Sequence, residues 1–533
     1  MEPFADLVGF LRRDNRGPSR RICRQARRVN HRQHSHQGGQ EEGGVEIPPL
    51  SGGRHPRADH PRRAQCQCGH CDAHATISCC SMPLRLLAEL NWAYGTSASD
   101  SDDRGPGIGL CSCRADACIL SRQTTGRMVP RGLRGRSGAG WFDRETTLEI
   151  GVGRTRPDLI APFSDAVSQA ITEGGELGLQ VAVYSGEELV VDIWAGSADT
   201  VAGTPVRADT LFPTFSVIKA VTAVALHIQA ARGLVDYDTP VAHYWPAFAA
   251  NGKEGMTVRH VLHHRSGLWH MPPDATPERL ADYDWMCDSL ARMAPMFEPG
   301  TRNGYQSYTF GWLIAEVVRR TDPRHRDFRD FVRQEILNPL GIDDLWMGVP
   351  PAEHHRIARL INAPPRSLPP DAPRFKAIPL HVGTSEEIFG RSDVRQACIP
   401  GAGGFSTARA MAHFFAMLAN GGALGGVRLL PEDLVRTFTV PRPGSDQIDD
   451  VQGIVVRIGA GFWLAGNMQP ENLGRLIGTT PNAFGHPGAG CSIGWADPDR
   501  RIAVAILHNR MFVPPATSQD SIRAAVTAAF GAD

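Results

Sequence analysis

Residues 177–194 read LGLQVAVYSGEELVVDIW. Two apolar runs, Leu177 to Tyr184 and Glu188 to Trp194, flank the turn residues Ser185-Gly186-Glu187, which is the pattern of a β-hairpin. Just upstream, Leu159, Ile160, Phe163, Val167 and Ile171 fall at helical spacing before Gly174-Gly175 stops the run, so an amphipathic helix precedes the hairpin. The far end of the chain repeats the theme. Cys491 to Ala496 and Arg501 to His508 form a second strand pair around Asp497-Pro498-Asp499, and Ser518 to Phe530 reads as a closing helix. The stretch between the two hairpins is mostly helical. Strands at both ends with helices between them predict an α+β fold, an antiparallel sheet flanked by helices plus a mostly helical region, over residues 148–533.

Residues 1–147 have a different texture. The first 145 carry 22 Arg, 15 acids and no Lys, hold nine of the twelve cysteines, and show apolar periodicity only around Met82 to Trp92. Such a segment buries too little apolar surface to offset chain entropy, and a disordered extension is expected. Its Cys66-x-Cys68-x-x-Cys71 cluster, with His70, His74, Cys79 and Cys80, has zinc-ligand chemistry but lacks two spaced pairs bracketing a foldable core. Its arginines have no interleaved aromatic residues to stack on bases. An upstream start codon or a shifted reading frame would account for this composition, and a peptide from it in a native cell digest would refute that origin.

The whole chain of 533 residues balances 56 Lys+Arg against 56 Asp+Glu at a pI near 7.3, leaving no net field to draw it to nucleic acid or membrane. Only Cys287, Cys398 and Cys491 lie beyond residue 118, too scattered for a disulfide framework, so a reduced, cytoplasmic setting is expected. No run of 18 apolar residues and no basic secretory leader appears.

The chemistry starts at Phe215-Ser216-Val217-Ile218-Lys219, the opening of a helical run that ends at Gly233. A spacing of three puts Lys219 on the helix face of Ser216, where it can share the serine's proton, and the helix N-terminus favours negative charge on Oγ. The alternative is a serine that merely caps the helix. Lysine is scarce, with only Lys219, Lys253 and Lys376 in the chain, and arginine otherwise supplies positive charge. A lysine kept at this place points to a group that must lose a proton, which arginine cannot do. Downstream, the loop Glu298 to Ser307 delivers Tyr305 ahead of a helix from Thr309 to Arg320, a candidate phenolic base if a lysine cation lies beside it. Near the end, Phe484-Gly485-His486-Pro487-Gly488-Ala489-Gly490 is a glycine-rich strand edge suited to an oxyanion hole built from the Ala489 and Ser216 amides.

At these places the sequence resembles the serine β-lactamase-like hydrolases, the family of class C β-lactamases, DD-peptidases and family VIII-type carboxylesterases. Ser216-x-x-Lys219 resembles the family's nucleophile motif, Tyr305-Gln306-Ser307 its Tyr-x-Asn, and His486-Pro487-Gly488 its Lys-Thr-Gly, at intervals of 89 and 181 residues. Val261 to Leu268 (VLHHRSGL), Asn338-Pro339-Leu340-Gly341 and Gly403-Gly404-Phe405-Ser406-Thr407 extend the likeness over about residues 156 to 530. The resemblance implies an acyl-enzyme on Ser216, with Lys219 and Tyr305 moving the proton, and water or another acceptor completing the reaction. It implies no cofactor. Ser307 in place of Asn removes an amide that helps anchor the substrate's side chain, and His486 in place of Lys is a poor partner for a substrate carboxylate; both favour a carboxylesterase on small or medium acyl esters over a β-lactamase or D-amino-acid peptidase. The same missing cation predicts activity climbing above pH 7. A catalytically silent binding module on the same scaffold is the reading from another class. His260-x-x-His263-His264 and His354-His355 lack an H-E-x-x-H helix and are read as structural, with no metal. Neither the substrate nor the oligomeric state follows from the motifs.

Overall fold

The computed structural model describes residues 148–365, 367–466, 472–478, 480–514 and 516–531. The 1–147 segment, with its cysteine cluster and its arginines, lies outside the described residues.

The strands are β1 (Ile150–Val152), β2 (Gly178–Ser185), β3 (Glu188–Asp199), β4 (Trp463–Leu464), β5 (Phe484–Pro487), β6 (Ile493–Asp497) and β7 (Ile502–His508). They pair antiparallel throughout in the order β1-β3-β2-β7-β6-β5-β4, with Thr204–Pro205 added beside β3. Both predicted hairpins are present. β3 runs five residues past the expected Trp194 because its far end still finds a partner in Thr204–Pro205. The two terminal hairpins meet through β2 and β7, from Ile502 opposite Ser185 to His508 opposite Leu179, so the chain's ends build the middle of one sheet.

Side chains alternate across this sheet. On one face Leu179, Val181, Val183, Val504 and Ile506 pack with Leu159, Phe163 and Val167 of α1 (Pro157–Thr172), and with Ile522 and Val526 of the closing helix. On the other, Ala182, Tyr184, Ala503, Ala505 and Leu507 meet the helical region. Both faces are covered, which is why β2 and β7 read as continuous apolar runs with almost no polar alternation.

The helical region centres on α2 (Ile218–Ala231), α3 (Thr309–Thr321) and α4 (Ala408–Ala419), the last lying along β2, β6 and β7. α2 ends as the sequence predicts, with Gly233 at φ 72° and the Leu234 N–H returning to the Gln229 carbonyl at 3.0 Å. A small sheet of Phe212–Pro213, Gly404–Ser406 and Leu345–Met347 leads straight into the turn before α2. That turn sits against the end of β5, between the sheet edge and the helices. Among the described residues, no helix is long and apolar enough to cross a membrane.

Candidate active site

Ser216 lies in a 3₁₀ turn, Phe215–Val217, one step ahead of α2. Helix starts often carry a capping serine, but the N-cap positions here are Thr214 and Val217 and neither side chain caps, so Ser216 is not spent on the helix. Phe215 is held at φ 46°, in the left-handed region that costs a bulky residue energy. The surrounding packing enforces it: the Phe215 ring meets Phe389 edge to face at 5.0 Å, and the Thr214 N–H is tied to the Gly404 carbonyl at 2.8 Å. This kinked residue sets the direction in which the Ser216 amide and hydroxyl point.

Lys219 is fully buried. Its Nζ lies 2.9 Å from Ser216 Oγ and 2.6 Å from each of the Ser307 and Gly401 carbonyl oxygens. Burial pushes its pKa well below that of a free lysine. A neutral amine has two N–H donors and one lone pair. With both donors satisfied by the two carbonyls, the lone pair is left for Ser216.

Tyr305 is placed by three consecutive amides. The Gly304 N–H donates to the His264 carbonyl at 2.9 Å, the Tyr305 N–H to Asp449 Oδ1 at 3.0 Å, and the Gln306 N–H to His264 Nδ1 at 3.0 Å. The His264 ring also lies over the phenol, 4.6 Å between centroids, with Trp463 edge-on at 5.7 Å and Lys219 Nζ 5.3 Å from the ring centre. Burial raises the phenol's pKa, and the hydrogen bond to Ser216 offsets part of the rise. The expected phenolate sustained by a lysine cation is therefore not what burial produces. Lys219 is driven toward the neutral amine and Tyr305 toward the neutral phenol.

A cavity of about 550 Å³ opens over these groups, lined by Ser216, Tyr305, Ser307, Trp463, Gly488 and Ala489 among others. Ser216 and Ala489 thus face one space, as an oxyanion pair requires. Ser307 presents both its backbone carbonyl, to Lys219, and a buried hydroxyl with no hydrogen-bond partner among the described residues. His486 stands elsewhere. It is fully buried behind the tyrosine, 6.2 Å between ring centroids, and is not part of the cavity wall. Its Nδ1–H donates to the Pro487 carbonyl at 2.8 Å, and burial with the nearby Lys219 pushes its pKa well below the ordinary value. The residue in the Lys-Thr-Gly place is a neutral ring that flanks the phenol.

Several wall residues carry no sequence signal. The segment Ile361 to Arg391 supplies Asn362, Pro365, Arg374, Phe375, Leu380 and Thr384. Asp449 and Arg442 were invisible for the same reason: both lie in a polar stretch that reads as surface, yet both are buried. Four of the five histidines in these groupings bond backbone through a ring nitrogen. His260 Nδ1 accepts from the Thr257 N–H and His264 Nδ1 from Gln306, while His354 and His355 bond the Val349 and Ala352 carbonyls. Among the described residues, no three His, Cys, Asp or Glu side chains are placed to hold a metal ion.

A family model described as beta-lactamase matches residues 163–529. The chain belongs to the beta-lactamase family. Within this beta-lactamase family, the esterase/beta-lactamase LipL of Mycobacterium tuberculosis (strain ATCC 25618 / H37Rv) is 36% identical over 352 residues, covering 63% of this chain and 78% of LipL. A solved family VIII carboxylesterase superposes with a TM-score of 0.64 at 32% identity, covering 71% of this chain and 98% of that one. A penicillin-binding-protein homologue from Caulobacter crescentus gives 0.63 at 32% identity, covering 71% and 99%. The α+β layering is the fold of these beta-lactamase-like neighbours, and the chain is a serine hydrolase acting on ester or amide bonds.

One glycine of this beta-lactamase site is required by space. A Cβ on Gly488 would stand 2.5 Å from the Thr214 carbonyl oxygen and 3.3 Å from Val217 Cγ2, so a side chain there must push apart the nucleophile turn and the Ala489 amide. Gly488→Ala is expected to lower kcat about 100-fold, with a smaller change in KM, as read from p-nitrophenyl butyrate kinetics. A variant with wild-type kcat would show that the turn and the strand end need not touch.

Proposed function

We propose that the chain is a serine carboxylesterase for small or medium acyl esters, working through an acyl-enzyme on Ser216. The observation that carries this reading is the Lys219 amine, buried and neutral-leaning, with two carbonyls on its N–H groups and its remaining position 2.9 Å from Ser216 Oγ. Lys219 takes the Ser216 proton as Oγ attacks the ester carbonyl carbon. The Ser216 and Ala489 amides hold the oxyanion. Tyr305, hydrogen-bonded to Ser216, gives its proton to the leaving alkoxide and takes one from the Lys219 ammonium, and water then cleaves the acyl-enzyme, its hydroxyl going to the acid and its proton to Ser216 Oγ. An alcohol in place of that water would make the same intermediate a transacylase.

Ester specificity is supported by His486, a neutral buried ring where a cation for a substrate carboxylate would otherwise stand, and by the esterase relatives LipL and the family VIII enzyme. A β-lactamase or D-amino-acid peptidase is the second reading, favoured by Arg374, a guanidinium in the cavity wall. Parallel hydrolysis of p-nitrophenyl butyrate and a chromogenic cephalosporin separates the two. Ester turnover is expected to exceed cephalosporin turnover at least about 100-fold in kcat/KM, a gap of roughly 3 kcal/mol in transition-state binding, and a reversed preference would establish the second reading. The setting we assign is cytoplasmic, in keeping with Cys287, Cys398 and Cys491, which form no disulfide with one another.

A further inference from the structure

Behind the tyrosine, away from substrate, sits a buried ion pair that the chemistry above does not use. Asp449 and Arg442 are both almost completely excluded from solvent, joined by Arg442 Nη2 and Asp449 Oδ2 at 3.3 Å. A buried pair of charges is seldom kept for stability alone, because desolvation cancels most of the attraction. The partners of this pair suggest another reason.

Asp449 Oδ1 accepts three backbone N–H groups: Tyr305 at 3.0 Å, Val451 at 3.1 Å and Gln452 at 3.1 Å. The same short turn is closed by the Asp449 N–H on the Ile454 carbonyl at 2.9 Å. Gln452 and Ile454 line the cavity. One carboxylate oxygen therefore fixes the phenol-bearing residue and a piece of the substrate wall together. Arg442 extends the hub, since its Nη1 donates to the His263 carbonyl at 2.6 Å, next to the His264 that holds Gly304 and Gln306. Every amide from 304 to 306 thus ends on His264 or Asp449; Arg442 is paired with Asp449 directly and holds the carbonyl of His263, the residue before His264.

We propose that Asp449, neutralised by Arg442, is the positioning residue for Tyr305, and that through one oxygen it also sets the Gln452–Ile454 wall of the cavity. This rests on the reading that Tyr305 relays protons for Ser216. Asp449 acts through acceptor geometry, so an amide oxygen at the same point should serve, whereas its loss should not be tolerated.

The test uses the full chain with p-nitrophenyl butyrate, comparing Asp449→Ala and Asp449→Asn in an Arg442→Met background. That background avoids leaving a buried guanidinium unpaired when the carboxylate is removed. Expected is a kcat about 100-fold lower for the alanine variant than for the asparagine variant, a raised KM for the alanine variant, and thermal midpoints that do not track this difference. Equal kcat in the two variants, whether both high or both low, would overturn the proposal. Tyr305→Phe is measured alongside. If it is inactive while the two Asp449 variants agree, the positioning inference alone fails; if it keeps wild-type kcat, the relay reading fails and takes the inference with it.

Discussion

Replacing Ser216 by alanine is expected to reduce turnover of p-nitrophenyl acetate and butyrate by about 10⁴-fold or more. The substitution is informative because it removes so little else. The Ser216 side chain bonds the Lys219 amine and the Tyr305 phenol, two groups of the site itself, so the fold should hold and the thermal midpoint should stay within a few degrees of wild type. The backbone N–H of residue 216 remains in the variant, and with it the proposed oxyanion pair. What disappears is the one oxygen that can form the acyl-enzyme. Labelling by a fluorophosphonate, followed by intact mass, should add one adduct to the wild type and none to the variant. A variant that keeps more than about a hundredth of wild-type kcat would move the nucleophile elsewhere. A folded wild type that neither labels nor turns over would leave the catalytically silent binding domain as the surviving reading.

The parts of this site that were legible in sequence share a physical character. Ser216, Lys219 and the helix behind them are local, three residues apart on one element. The scarcity of lysine made the second of them conspicuous. The hairpins were legible because a sheet covered on both faces needs apolar residues in unbroken runs, as in Gly178–Ser185 and Ile502–His508. What was not legible is carried by backbone brought in from far away. The two carbonyls that hold Lys219 belong to residues 88 and 182 positions distant, and a carbonyl has no residue identity to read. Asp449, 144 positions from Tyr305, stands in the polar run Ser445-Asp-Gln-Ile-Asp-Asp450, where the sequence gives no hint that one acid turns inward. Strand β4 is two residues long, too short to announce itself, yet its Trp463 stands in the cavity wall. Protonation was misjudged for a related reason. A lysine beside a tyrosine suggests a cation stabilising a phenolate, but that holds only where the lysine is hydrated or paired, and complete burial reverses it.

That reversal makes the pH profile decisive, and Lys219 the residue on which the second large effect is expected. If the neutral amine is the base, activity is present above its depressed pKa and is lost as pH falls through that value, one decade per unit, with a plateau on the alkaline side. If a Tyr305 phenolate were the base instead, its raised pKa would keep the rate climbing through pH 9 with no plateau. The wild type is expected to show the plateau when kcat/KM for p-nitrophenyl butyrate is followed between about pH 5 and 9, a range that lies wholly below the ordinary lysine pKa of about 10.4. Lys219→Arg should then be about as damaging as Lys219→Ala, each costing roughly 10³- to 10⁴-fold in kcat. Arginine keeps the charge and fails for that reason: a guanidinium cannot give up its proton near neutrality, so it offers Ser216 Oγ no lone pair, and it is too broad for a site cut to one nitrogen between the Ser307 and Gly401 carbonyls. Arginine activity within tenfold of wild type, or a wild-type rate still rising at pH 9, would take the base assignment away from Lys219 and return it to the tyrosine.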